Sequence, residues 1–211
     1  MSTFIEIVLQ EISTLQFAAG VDEVGVGPLA GPVISAAVIL PIGYHNSNIK
    51  DSKKISERQR EKLYDEITSV AIDWAIGRSE VEEIDKFNIL QATKASMIRA
   101  VNSLKVKPDK IFVDGSRPPL FQHQSQAVID GDKHIPVISA ASIIAKVTRD
   151  REMVEMEKIY PGYGFVKNKG YGTAQHKLAL IERGFCAIHR KSFEPVKSMW
   201  LWQSRANNLI D

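Results

Sequence analysis

Apolar residues gather in short blocks along the first part of the chain, and two of these blocks frame its densest motif. Phe17 to Val24 and Pro32 to Leu40 read as strands separated by a glycine-rich turn, and Val70 to Gly77 makes a third strand with partial alternation. A polar helix is predicted between the second and third strands. Ser56-Glu57-Arg58-Gln59 is a capping-box pattern, and apolar Leu63, Ile67 and Val70 follow at helical spacing. Ser79-Glu80-Val81-Glu82 repeats that pattern and leads through Ile84 into a longer helix from about Ile89 to Leu104, stopped by Pro108. Lys110 to Asp114 and Gln126 to Asp130 are two further short strands, with a loop from Gly115 to Gln124 between them.

From Pro136 the pattern becomes helical, apart from a loop at Tyr160 to Gly172. Ala140, Ala141, Ile143, Ile144 and Val147 form one apolar side, while Ser142, Lys146 and Arg149 stand at i, i+4 and i+7 on another face. That polar face suits either phosphate contact or plain solvation. Thr173 caps a later helix that closes at Gly184, and Glu194 to Asn207 makes the last one. The expected architecture is therefore α/β: a mixed five-stranded sheet flanked by helices, with a helical C-terminal extension.

Composition narrows the class. The chain has 211 residues, of which 44% are hydrophobic and 25% charged, and its longest apolar runs are far too short to cross a bilayer. Met1 to Thr14 carries Glu6 and Glu11 with no basic residue before its apolar positions, unlike a secretory signal, and the lone Cys186 has no partner for an internal disulfide. The expectation is a soluble cytoplasmic protein without a membrane partner. Net charge is only +2, but residues 1–139 hold 15 basic against 18 acidic side chains and residues 140–211 hold 12 against 7. An acidic half followed by a basic half fits a protein that holds cations and binds a polyanion.

The candidate chemistry sits at strand ends. Asp22-Glu23 closes the first strand, Asp114 closes the fourth, and Asp132 lies just beyond the fifth. Four carboxylates without a histidine or cysteine partner favour Mg²⁺ or Mn²⁺ over zinc. Two such ions, ~3.5 to 4 Å apart, would activate a water and stabilise the leaving oxygen in phosphodiester hydrolysis. Regular alternation would point Asp22 and Glu23 to opposite faces, so joint ligation requires the strand to bend or end near Glu23. A nucleotide-loop reading of Gly25, Gly27 and Gly31 is weaker. Their spacing is not G-x-G-x-x-G, Pro28 interrupts it, and no Gly-Lys-Ser/Thr follows.

Several separated blocks carry a closer likeness. Gly20-Val21-Asp22-Glu23-Val24-Gly25, Pro28-Leu29-Ala30-Gly31-Pro32-Val33, Asp51-Ser52-Lys53-Lys54, Val113-Asp114-Gly115, Gly131-Asp132, Ser139 to Asp150, Gly170-Tyr171-Gly172-Thr173 and His189-Arg190-Lys191-Ser192-Phe193 run in order from about residue 17 to 196. Together they resemble the signature blocks of bacterial ribonuclease HII. The resemblance implies a single ribonuclease H-like domain over 1–211, with a catalytic sheet and helices over about 17–158 and a helical C-terminal part over about 159–211. It implies a monomeric, metal-dependent endoribonuclease using Mg²⁺ or Mn²⁺ in a two-metal mechanism. Its substrates would be the RNA strand of RNA–DNA hybrids and DNA duplexes containing ribonucleotides. The cut would fall on the 5′ side of a single ribonucleotide, leaving 5′-phosphate and 3′-hydroxyl ends, in ribonucleotide removal and RNA primer degradation.

By motif position, Asp22, Glu23, Asp114 and Asp132 correspond to the family's metal-binding carboxylates, and Asp130 is a neighbouring charge outside that set. Tyr171 matches the tyrosine that stacks on the sugar after the ribonucleotide, and Lys53, Ser142 and Lys146 match substrate contacts. The Gly25-Val26-Gly27 turn departs from the family's glycine-arginine-glycine: the cation expected to meet a phosphate is missing, while the amides that surround the ribose 2′-hydroxyl remain. Two other functions stay open. Val26 is compatible with a weakened or non-catalytic nucleic-acid-binding protein, and the carboxylates with a related junction resolvase acting on DNA alone.

Overall fold

The computed structural model describes residues 3–44, 46, 49 and 55–207, the side chains of 206 and 207 excepted. Lys53 therefore lies outside the described residues. In chain order the elements are α1 (Thr3–Thr14), β1 (Ala18–Val24), β2 (Val33–Ile39), α2 (Glu57–Val70), β3 (Asp73–Ser79), α3 (Val81–Phe87), α4 (Ile89–Asn102), β4 (Lys110–Asp114), β5 (Ser125–Val128), α5 (Gly131–His134), α6 (Pro136–Ile159), α7 (Phe165–Asn168), α8 (Ala174–Arg183) and α9 (Val196–Asn207). The sheet order is β3-β2-β1-β4-β5. β1 pairs antiparallel with β2 and parallel with β4, and β4 pairs parallel with β5. This is the predicted mixed five-stranded sheet with flanking helices.

The chain divides into two compact units. The first comprises 1–24, 34–78 and 93–148. Its strands alternate as the sequence requires. Ala19, Val21, Ile111 and Val113 face one apolar cluster with Met97, Ala100 and Val101 of α4, while Ala18 and Phe112 face a second with Ile138, Ala141, Ile144 and Ala145 of α6. Gly20 lies on that second face because nothing larger fits: a Cβ there would stand 2.1 Å from the Val137 carbonyl carbon. The bare backbone of β1 thus packs directly on the start of α6, next to Asp22.

The second unit comprises 25–33, 79–92 and 149–211. Its core joins Leu29, Ala30, Met153, Tyr163, Phe165, Leu180 and Val196. An isolated bridge pairs Ala30 with His189, through Gly31 N–H donating to the Ile188 carbonyl and Arg190 N–H donating to the Leu29 carbonyl, each at 2.8–2.9 Å.

Local signals map closely onto elements. Ser56 caps α2 with its hydroxyl accepting from Gln59 N–H, and the Gln59 side chain accepts in return from Ser56 N–H. Thr173 caps α8, which Gly184 closes at φ 77°. The second capping box is displaced by one residue. Ser79 remains in β3 with its hydroxyl bonded to the Ala92 carbonyl, and Glu80 takes the cap position, its N–H donating to Glu83. Helix α1 had no counterpart in the sequence reading, which weighed Met1 to Thr14 only against a secretory signal, although Ile5, Val8, Leu9 and Ile12 stand at helical spacing and pack on the core.

Candidate active site

In the first unit, Asp22, Asp114 and Asp132 come together. Each offers a carboxylate oxygen, and these oxygens all lie within 4.8 Å of one another. Three local features produce the convergence. Val21 and Val113 are register partners in the parallel β1–β4 pair, so Asp22 and Asp114 follow one step later, on the face opposite the two valines. Asp132 arrives on α5, the single turn after β5, where its N–H donates to Asp114 Oδ1 at 3.3 Å. Ser139, at the start of α6, donates its hydroxyl to the Asp132 carbonyl at 2.7 Å and holds that turn in place.

Asp22 and Asp132 are buried and Asp114 is half-buried. Like charges crowded out of water cannot all ionise freely. Burial pushes the Asp22 carboxyl well above the ordinary carboxylate range, and the charges of Glu23 and Asp114 push it further. The Ser142 hydroxyl and the Glu23 N–H pull the other way, the latter donating to Asp22 Oδ1 at 2.8 Å. Such a cluster fits a divalent cation: its donors are oxygens only, and a bound +2 charge would offset the repulsion that raises Asp22.

Glu23 stands outside the converging set among the described residues. The strand continues past it, pairing Glu23 with Ser35 and Val24 with Ile34, and ends before Gly25 at φ +93°. Ser142 is buried and directed at Asp22, and Lys146 is half-buried one turn further along α6. Asp130, exposed in a left-handed conformation, pairs with Lys133 at 2.5 Å.

The second unit contains the Gly25–Val26–Gly27 turn and Tyr171. Two buried arginines set the turn's shape. Arg190 donates from Nη1 to the Val26 carbonyl at 2.9 Å, from Nη2 to the carbonyls of Gly25 at 2.5 Å and Gly31 at 2.8 Å, and from Nε to Gly31 at 3.0 Å. Arg149 donates to the carbonyls of Pro32, Ala30 and Lys169 at 2.8–3.0 Å. With these carbonyls turned inward, the exposed Val26 and Gly27 N–H groups meet no acceptor among the described residues. Burial lowers both guanidinium pKa values, and the charge of Arg149 adds to this at Arg190.

Arg149 departs from both sequence-level readings of its helix face. It is neither solvated nor aimed at phosphate, because its fork is filled by main-chain carbonyls. Sequence reasoning also gave Arg190 no role of its own. The available signal was two arginines inside motif blocks, but periodicity says nothing about carbonyl partners 20 to 165 residues away. Tyr171 is partly exposed, and a Cβ on Gly27 would lie 3.7 Å from its Cε1, so the ring stands beside the glycine turn. Asn168 braces this loop, donating from Nδ2 to the Tyr163 carbonyl and accepting from Gly170 N–H, both at 2.8 Å.

A mixed sheet of this order, with carboxylates gathered at the ends of its central parallel strands, defines a ribonuclease H-like nuclease. The sequence profile of ribonuclease HII matches residues 19–196, and the chain belongs to that family. Ribonuclease HII of Coxiella burnetii (strain Dugway 5J108-111) is 51% identical over 184 residues, covering 87% of this chain and 91% of that one. Among solved structures, ribonuclease H2 from Pyrococcus horikoshii OT3 aligns with a TM-score of 0.77 at 29% identity, over 90% of this chain and 99% of its own. Ribonuclease HII in the PCNA:RNase HII complex from Archaeoglobus fulgidus aligns with a TM-score of 0.71 at 25% identity, over 84% and 95% respectively. The protein is a divalent-metal-dependent ribonuclease H that acts on RNA–DNA hybrids. No helix among the described residues is long and apolar enough to cross a membrane.

Proposed function

We propose that the protein also cuts DNA duplexes on the 5′ side of single embedded ribonucleotides, leaving 5′-phosphate and 3′-hydroxyl ends, and serves ribonucleotide removal and primer degradation. The convergence of Asp22, Asp114 and Asp132 within 4.8 Å carries the hydrolytic part of this reading. These three residues would hold Mg²⁺ or Mn²⁺ together with Glu23, the next residue along β1. A pair of such ions supplies water activation and leaving-group stabilisation. The chain's own contribution is to hold the carboxylates rigidly. Ser142 orients Asp22, Asp132 N–H orients Asp114, and Ser139 anchors the turn that presents Asp132.

Ribonucleotide recognition falls to the glycine turn and Tyr171. The outward Val26 and Gly27 N–H groups are donors suited to a 2′-hydroxyl, the group that separates RNA from DNA. The Tyr171 ring supplies a face for the next sugar, and Lys146 and Lys53 supply charge for phosphates. Val26 contributes no charge at the turn, so affinity or rate is lowered while the position of the cut is kept.

The test is product mapping with a labelled duplex that holds one ribonucleotide, beside an all-DNA control, in Mg²⁺ or Mn²⁺. A single cut 5′ to the ribonucleotide with an intact control is expected. Cleavage of the all-DNA duplex would favour a resolvase-like activity, and binding without any cut would favour a non-catalytic protein.

A further inference from the structure

Two fully buried histidines in the second unit have no place in metal chemistry or phosphate binding. His176, on α8, and His189, in the bridge segment, approach Nε2 to Nε2 at 3.0 Å. His176 Nδ1 lies 2.9 Å from the Tyr171 carbonyl oxygen. His189 Nδ1 lies 2.9 Å from the Cys186 backbone nitrogen and 3.1 Å from its sulfur.

One fixed donor orders the whole chain of bonds. Cys186 N–H must donate, so His189 Nδ1 accepts and the ring's proton is on Nε2. That Nε2–H donates to His176 Nε2, which leaves the second ring's proton on Nδ1. His176 Nδ1–H then donates to the Tyr171 carbonyl. Every ring nitrogen is satisfied only when both rings are neutral, and their surroundings agree. Burial lowers both histidine pKa values, and it pushes the Cys186 thiol up to about 11, so the sulfur keeps its proton. Tyr163 and Phe165 pack on the two rings at centroid distances of 4.9–6.3 Å and close the cluster to water.

We propose that the His176–His189 pair is a positioning unit for Tyr171: a directional relay from the Cys186 amide through two neutral imidazoles to the Tyr171 carbonyl that fixes the peptide from which the exposed ring projects. The inference rests on the reading of Tyr171 as the sugar-packing residue. A fully buried polar pair is costly to desolvate and simpler to replace by apolar side chains, unless its bonds define a geometry. Here the relay ends on the main-chain carbonyl of the residue whose ring is exposed. The Tyr171 carbonyl also accepts from Thr173 N–H at 2.8 Å and Tyr171 N–H donates to the Asn168 carbonyl at 2.8 Å, so the histidine adds a side-chain anchor at Tyr171 itself to a loop that Asn168 and Arg149 brace further back.

The experiment is a double-mutant cycle read as kcat and KM on the single-ribonucleotide duplex, per folded molecule. His176→Leu, His176→Asn and His176→Gln are each measured alone and with Tyr171→Ala. The Asn amide nitrogen stands near the position of Nδ1 and restores the bond to the Tyr171 carbonyl, while the Gln amide reaches the position of Nε2 and does not. His176→Leu is expected to raise KM about tenfold, the weight of one well-placed hydrogen bond, with kcat little changed. His176→Asn should recover most of that loss and His176→Gln little. None of the three should cost anything further in the Tyr171→Ala background. Additive losses in that background, or Asn and Gln variants that behave alike, would overturn the proposal. If His176→Leu does not fold, the contrast between Asn and Gln decides alone. Should Tyr171→Ala by itself leave KM unchanged, the sugar-packing reading falls and takes this inference with it, an outcome distinct from additivity.

Discussion

Asp22 and Asp114 extend from neighbouring parallel strands, each one residue beyond the paired Val21 and Val113, and thereby share the face that the valines leave. This places two carboxylates at adjacent positions of a rigid ladder, and the Asp22 carboxyl is raised by burial and then by the charges of Glu23 and Asp114.

A raised Asp22 has a definite sign in stability. In metal-free protein the folded state holds this proton more tightly than the unfolded chain does. The stabilisation is whole below the ordinary Asp range and is lost as pH rises through the raised folded pKa. Asp22→Asn, which removes the charge and keeps the shape, should therefore melt higher than the parent protein in chelator at neutral pH. A lower melting temperature, measured by calorimetry, would show that the charge is already compensated within the chain.

Divalent cations should reverse that penalty. Addition of Mn²⁺ or Mg²⁺ is expected to raise the melting temperature of the parent protein, and more at about pH 8 than at about pH 5, because protons compete for the same oxygens. Asp22→Asn should lose most of this gain. An equal gain in both proteins would mean that the ions bind elsewhere.

His189 gives a second, opposite pH dependence. Burial, and then the neighbouring His176, lowers its pKa from 6.5 to about 4. Between those values the unfolded chain binds a proton that the folded one refuses. Its contribution is thus whole above about 6.5 and is lost as pH falls towards about 4. His189→Asn should flatten the fall of melting temperature across that window relative to the parent. Identical slopes would contradict the buried neutral pair.

The legible part of the fold was what local pattern and spacing control. The five strands, the Ser56 capping box and the Thr173–Gly184 limits of α8 follow from periodicity and cap chemistry within a few residues. Asp22 and Asp114 were readable as strand-end carboxylates. Their meeting with Asp132 depended on a β1–β4 pairing that joins positions some ninety residues apart, which no local window contains. Arg149 looked like half of a polar helix face, and only the tertiary fold shows its donors consumed by carbonyls. The histidine relay was invisible for the same reason: His176, between Gln175 and Lys177, and His189, beside Arg190, look like exposed polar positions and do not reveal a partner 13 residues away.

Val26 supplies a gain-of-function test. Val26→Arg adds a cation to a turn whose carbonyls are already held by Arg190. A charge-assisted bond to phosphate is worth roughly 1.5 to 3 kcal/mol, about one to two decades in kcat/KM. The gain should be largest at low salt and should leave the cut position unchanged. No gain across a salt series would mean that another basic group neutralises that phosphate, and a displaced cut would mean that the side chain sets the register.

The most direct measurement is the cleavage rate of an RNA–DNA hybrid by Asp114→Asn beside the parent protein, per folded molecule, at saturating Mn²⁺. Asp114 is half-buried and accepts from Asp132 N–H, a bond the Asn side-chain oxygen can keep, so the fold should persist. The expected result is a loss of at least about a hundredfold, as when a ligand is removed from a shared metal site. Retention of most of the parent rate would contradict the assignment of the Asp22–Asp114–Asp132 cluster as the catalytic centre.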